Sequence, residues 1–243
     1  PDGDSANGFY KADLNEIGIS ILGSHFGRWT TTAYHVGKTT GSDTVIGTSL
    51  YADGFIENVR SSAAPLRVAR LTTDGTLVDL AQDGVTDGTI ATLAGVVSYN
   101  TFFGSHWSQT LDGSRIDILR GTIVESLDEM CSWPNEDNEQ LPRFKVSDTK
   151  GSKNVYGVFA DWDNDDDRTN DAYIGALGSY MIRIDPHYTV GRGDLIESNG
   201  NGCGRVQSDD IFKSSTVAKV TSAKIIKTYP DGSYLVPCTL HCG

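Results

Sequence analysis

At 243 residues the chain is long enough to bury a core of its own without help from metals or disulfides. Its 32 Asp and Glu residues against 20 Lys and Arg give a formal charge of -12, which opposes contact with a phosphate backbone and excludes nucleic acid as an expected partner. With 38% hydrophobic and 21% charged residues the composition is that of a folded soluble protein, and no apolar run reaches the length of a membrane span, so membrane insertion is not expected either.

In chain order, the opening Pro1-Asp2-Gly3-Asp4 has no basic or apolar leader region, so signal-directed secretion is not indicated, and a start on proline suggests a fragment or processed product. Ala12 to Ile17 carries a short helical signal, as do Ser126 to Met130 and Ser208 to Phe212, where Ser208 could cap one turn. The dominant pattern is turn punctuation. Asp53-Gly54, Asp74-Gly75, Asp83-Gly84, Asp87-Gly88, Asp112-Gly113, Asn199-Gly200, Asn201-Gly202 and Asp231-Gly232 each offer the positive-φ pair that tight hairpins favour. Between them lie short runs rich in β-branched and apolar residues, among them Leu66–Leu71, Thr89–Leu93 and Val217–Val220, several alternating as half-buried strands do. The expected fold is all-β. Cys131, Cys203, Cys238 and Cys242 are too widely spread for a small disulfide scaffold and form no C-x-x-C pair; reduced, partly buried thiols are expected, with Cys238–Cys242 or Cys203–Cys238 the bridges open to a chain exposed outside a cell.

A division near residue 97 follows from the apolar content. Residues 1–96 hold short Gly-punctuated strands with little apolar mass for an independent core, and a segment that cannot bury itself buries against copies, so an intertwined homotrimer is expected there. Residues 97–243 hold all four cysteines and most of the long apolar strands, as a self-sufficient C-terminal β-rich globular domain.

Pro65-Leu66-Arg67-Val68-Ala69-Arg70, followed by Asp74-Gly75-Thr76-Leu77-Val78-Asp79-Leu80-Ala81-Gln82-Asp83-Gly84 and Gly88-Thr89-Ile90, resembles the end of bacteriophage tail-fibre shafts ahead of a C-terminal domain. Val97–Phe102, Gly104–Ser108, Leu119–Thr122, Tyr156–Phe159, Gly193–Gly200, Arg205–Asp210, Ser214–Val220 and Asp231–Cys238 continue that resemblance in order, covering roughly residues 65 to 243. More distantly, the arrangement is similar to the intramolecular-chaperone domain of phage appendages, which assists trimerisation and in several relatives releases itself by autoproteolysis. The resemblance implies a virion component made in the host cytoplasm. Such a tail-fibre or appendage tip would be a homotrimer in contact with other virion tail proteins and with a host cell-surface receptor or glycan. Its alternatives are a self-cleaving chaperone domain and a capsid fibre or decoration protein.

Self-cleavage needs a nucleophile or activated water beside an acid or base, and Asn100, Ser105, His106, Asp112 and Asp117 fall in the segment that would supply them. The acidic-aromatic motif expected there is replaced by Ser105-His106-Trp107-Ser108, and the alternative is that His106 and Trp107 pack inward. No G-x-S-x-G elbow supports a hydrolase triad, and no repeat signature supports a β-helical polysaccharide depolymerase. Asp161, Asp163 and Asp165 alternate like the first ligands of a calcium loop, but Asp166 stands where its glycine belongs and Ala172 where its bidentate glutamate belongs. An EF-hand is thereby rejected. The three aspartates are left as candidate ligands of a looser structural Ca2+ site, against a solvated acidic turn. Gly191-Arg192-Gly193-Asp194 reads as a turn rather than an adhesion tripeptide, and Gly200–Gly204 as a β-turn rather than a phosphate loop. Phe26, Trp29, Tyr34, Trp133 and Trp162 are the aromatics available for surface contact.

Overall fold

The computed structural model describes residues 7–22, 24–134, 137–164 and 170–242. Among them there is no helix, and the strands form three sheets, so the protein is all-β. The chain divides into two compact units. One takes residues through Val78 together with Ala91–Val96; the other takes Asp79–Ile90 and the residues from Val97 onward.

The first unit is built on six sequential antiparallel strands, β1 (Gly8–Asp13), β2 (Glu16–Ile21), β3 (Ser24–Trp29), β4 (Ala33–Val36), β5 (Gly47–Tyr51) and β6 (Ile56–Val59). Side chains alternate across a strand, so the register sorts this sheet into two faces. One row runs Ile17, Trp29, Tyr34, Leu50, Ile56, flanked by Phe9 opposite Ile19. The other runs Tyr10, Gly18, Arg28, His35, Ser49, Glu57. Gly18 is required there, because a Cβ would lie 2.3 Å from the Tyr10 ring.

Three further strands, β7 (Gly75–Gln82), β8 (Val85–Leu93) and β9 (Val96–Asn100), form the second sheet. Asp83 and Gly84 join the first two with φ of 50° and 79°, the doubly positive turn that Asp-Gly favours. Ala94 and Gly95 join the next pair at 50° and 83°; an alanine is tolerated there with its amide bound to the Asp74 carboxylate at 2.8 Å.

The second unit holds β10 (Phe103–Ser108), β11 (Ile123–Met130), β12 (Pro142–Val146), β13 (Val155–Trp162), β14 (Ala172–Ile184), β15 (Leu195–Ser198), β16 (Gly204–Val206), β17 (Thr216–Val220), β18 (Lys227–Thr228) and β19 (Tyr234–His241). The long strand β14 organises it. Its first half pairs with β10 and β13, which carries β11 and β12 outward as an open sheet. Its second half pairs with β19 and, in parallel, with β16; β16, β15, β17 and β19 then close the ring into a small barrel. Ile182, Ile184, Ile196, Val217, Val236 and Leu240 are fully buried in one core, and Val124, Phe144, Phe159, Ala172 and Ile174 form a second.

Several expectations are corrected. Ala12 to Ile17 is the β1–β2 hairpin, Ser126 to Met130 is the second half of β11, and Ser208 to Phe212 is a bend held by the Gln207 amide donating to Asp209 and to Ile211 O. Short apolar runs fit both periods, and cross-strand pairing decides them, as for Ile17 opposite Trp29. Leu66–Leu71 is not a strand; it is a loop in which the Arg70 guanidinium bonds Thr73 and Thr76 carbonyls at 3.3 Å. Asp87-Gly88 lies inside β8, where a Cβ on Gly88 would meet Asn100 O at 2.8 Å.

Candidate functional site

The two faces of the six-stranded sheet differ in how their side chains are satisfied. On the polar face the Lys38 ammonium pairs with Glu57 and donates to Ser42 O at 3.3 Å, Ser49 Oγ donates to Glu57 at 3.4 Å, and His35 Nδ1 lies 2.8 Å from Ser49 Oγ. Tyr10 OH meets His25 Nδ1 at 2.9 Å, and Arg28 pairs with Glu16. Burial, then the Lys38 charge, hold the His35 imidazole below its ordinary value, and the Lys38 hydrogen bond holds the Glu57 carboxyl down. Ser49, His35 and Glu57 are the residue types of a nucleophile relay, but Ser49 is fully buried, which closes its hydroxyl to any substrate. This network is structural.

The apolar face has no such closure. Phe9 is 69% exposed, Ile17 52%, Leu50 44% and Ile56 59%. Phe9 and Trp29 stack at 5.9 Å and Trp29 and Tyr34 at 4.6 Å, making a rigid aromatic strip in the middle of an aliphatic row. Among the described residues of the first unit, Ala33 and Ala91 are the buried apolar side chains, whereas the second unit buries more than a dozen. Exposed apolar side chains in contact with one another are the kind of surface from which interaction sites are commonly built.

The residues singled out for self-cleavage are placed apart. Ser105 and His106 are neighbours on β10 and therefore point to opposite faces, Ser105 exposed and His106 half-buried against the Tyr156 ring at 4.3 Å. Burial holds the His106 imidazole below its ordinary value. Asn100 ends β9 with its amide donating to Thr89 Oγ1 at 2.9 Å. Asp112 closes its own turn, accepting from Ser114 Oγ at 2.7 Å, Ser114 N at 3.0 Å and Thr110 Oγ1 at 3.1 Å, and these bonds hold its carboxyl below the usual range. Asp117 is exposed in the following loop. Among the described residues no hydrogen bond joins any two of these five.

Of the candidate Ca2+ ligands, Asp161 is exposed with Oδ1 accepting from its neighbour Trp162 N at 2.8 Å, and Asp163 is buried with Oδ2 accepting from Tyr173 OH at 3.0 Å. Asp165 lies outside the described residues. Among the described residues no group of three or more His, Cys, Asp or Glu side chains is placed to hold a metal. Trp133 and Trp162 are half-buried, Trp133 donating to Asp171 at 2.6 Å and Trp162 under the Arg115 guanidinium at 5.6 Å. The Arg-Gly-Asp triplet is a closed turn, with Gly191 N on the Asp194 carboxylate at 2.7 Å. All four cysteines are free thiols, three of them buried. Sequence reasoning missed the two-faced register of β2 to β6, although the alternation of Ile17, Ile19 and Ile21 carries its signal.

No helix among the described residues is long and apolar enough to cross a membrane. No protein-family model, no curated protein and no solved structure matches the chain.

Proposed function

We propose that the chain is a structural, host-contacting end piece of a viral fibre or appendage, a tail fibre tip that works as a homotrimer. One observation carries this reading: the first unit presents an apolar row across β2 to β6, flanked by Phe9 on β1, and leaves about half of it exposed. Covering that row against identical rows of two other copies gives each chain one wall of a shared core, which a single layer of sheet cannot supply alone. The barrel unit, with two cores of its own, caps the assembly and carries the loops that meet a host receptor or glycan beside other tail proteins. The ordered resemblance from Pro65 to Cys238 to phage tail-fibre ends supports the same reading.

The test is the native mass beside the denatured mass. Three chains of 26.2 kDa are expected in the native particle. A protein that stays at one chain mass at every concentration overturns the shared core.

A further inference from the structure

The second unit contains a cavity of about 380 Å3 among the β10–β11 loop, strand β14 and the β18–β19 turn, with Asp117, Ile118, Leu119, Arg183, Pro230 and Asp231 in its lining. Small-ligand sites have volumes of this order, mostly apolar walls and a few fixed polar groups. The polar group here is well fixed. Arg183 donates from Nε to Ser233 Oγ at 2.9 Å, from Nη1 to Thr122 Oγ1 at 2.7 Å and from Nη2 to Asp231 Oδ2 at 3.0 Å. A guanidinium carries five N–H donors, so two are left over on a side chain that is only 13% exposed. Asp231 Oδ1 is taken by Ser233 N and Oγ at 3.0 and 2.6 Å, whereas the Asp117 carboxylate accepts no hydrogen bond from the described residues.

These groups select a ligand by charge. Two carboxylates around one guanidinium leave a net negative charge that repels an anion, and the spare guanidinium N–H donors find no acceptor on an ammonium-type cation. A neutral ring bearing vicinal hydroxyls satisfies both signs at once, donating to Asp117 and accepting from the spare Arg183 donors. Its C–H face matches the aliphatic wall of Ile118, Leu119 and Pro230. We infer that this cavity binds a neutral pyranose residue of a glycan. The inference rests on the fibre-tip reading for the source of the sugar, a host surface; the cavity chemistry stands without it.

The experiment is saturation-transfer NMR on the full chain with the methyl glycosides of glucose, galactose and mannose, and with sialic acid and inorganic phosphate as anionic probes. Saturable transfer to at least one neutral glycoside is expected, weakened about tenfold in Asp117→Ala by loss of one charge-assisted hydrogen bond. Leu119→Trp, which fills the cavity, is expected to abolish it. Asp117 is exposed and holds nothing else in place, so its variant reports on the site and not on folding. No transfer to any neutral glycoside, equal transfer in Asp117→Ala, or preference for an anionic probe overturns the inference. The native mass of the same sample separates the two proposals: a trimer that ignores sugars sinks this one alone, and a monomer that binds them sinks the shared core alone.

Discussion

Replacing Ile17 and Leu50 together by aspartate puts two carboxylates into the apolar row. The two residues are 52% and 44% exposed in the single chain, so about half of each side chain is left for another copy to cover. Full burial of a Leu or Ile side chain is worth roughly 1.5–3 kcal/mol, so covering the half still exposed contributes about 1 kcal/mol each. A trimer contains the pair three times and forgoes roughly 6 kcal/mol, before the unfavourable desolvation of the new carboxylates is added. At about 1.4 kcal/mol per tenfold change, the association constant falls by around four powers of ten or more. The assay is light scattering coupled to size exclusion across a dilution series, with far-ultraviolet dichroism as the check on strand content. The expected result is a particle of one 26.2 kDa chain with an unchanged β spectrum. A double variant that keeps the wild-type native mass refutes the reasoning, because the row would then be uncovered in the assembly.

Other outcomes follow from single sites. His106 is held neutral by burial in the folded chain, whereas the unfolded chain takes a proton near pH 6.5; its contribution is therefore full above that pH and lost as pH falls toward the lower folded value. His106→Phe should narrow the difference in melting temperature between about pH 7.5 and about pH 5.5, and an unchanged difference contradicts the assignment. A Cβ on Gly157 would lie 2.5 Å from Ile174 Cγ2 and 2.6 Å from Gly175 O, so Gly157→Ala should destabilise the second unit by about 1–3 kcal/mol in urea unfolding. Burial pushes the Cys203 thiol to about 11 and that of Cys238 to about 12, so a thiol reagent at neutral pH should label neither of these two before unfolding. Rapid labelling of either in the native protein would show that the barrel opens.

The fold class was legible because turn chemistry is local. Asp83 and Gly84 both adopt the positive φ their residue types favour, Gly200 and Gly232 do so at the second position of their pairs, and Val217 to Val220 forms the strand its composition suggests. Asp87-Gly88 misleads for the same reason, since a pair suited to a turn also suits a strand where a neighbouring backbone comes close. The barrel was not legible. Its closure depends on β14 meeting β19 some fifty residues later and touching β16 in parallel through Ile184 and Gly204, and neither contact leaves a local mark. For the candidate site, the scarcity of core-forming residues before residue 97 pointed to the uncovered surface, but which residues share it follows from register. Ser105 and His106 show the opposite failure: adjacency in sequence suggested a working pair, and strand geometry sends the two side chains to opposite faces.

The central claim is that identical chains cover the apolar row of the six-stranded sheet. Hydroxyl-radical footprinting at high and low protein concentration tests it directly, by reading the oxidation of Phe9, Trp29 and Tyr34 peptides against that of the exposed Phe212. The account predicts that the three row aromatics are protected in the concentrated sample and labelled on dilution, while Phe212 is labelled in both. Equal labelling of Phe9 and Trp29 at every concentration would mean that no copy covers the row, and would contradict it.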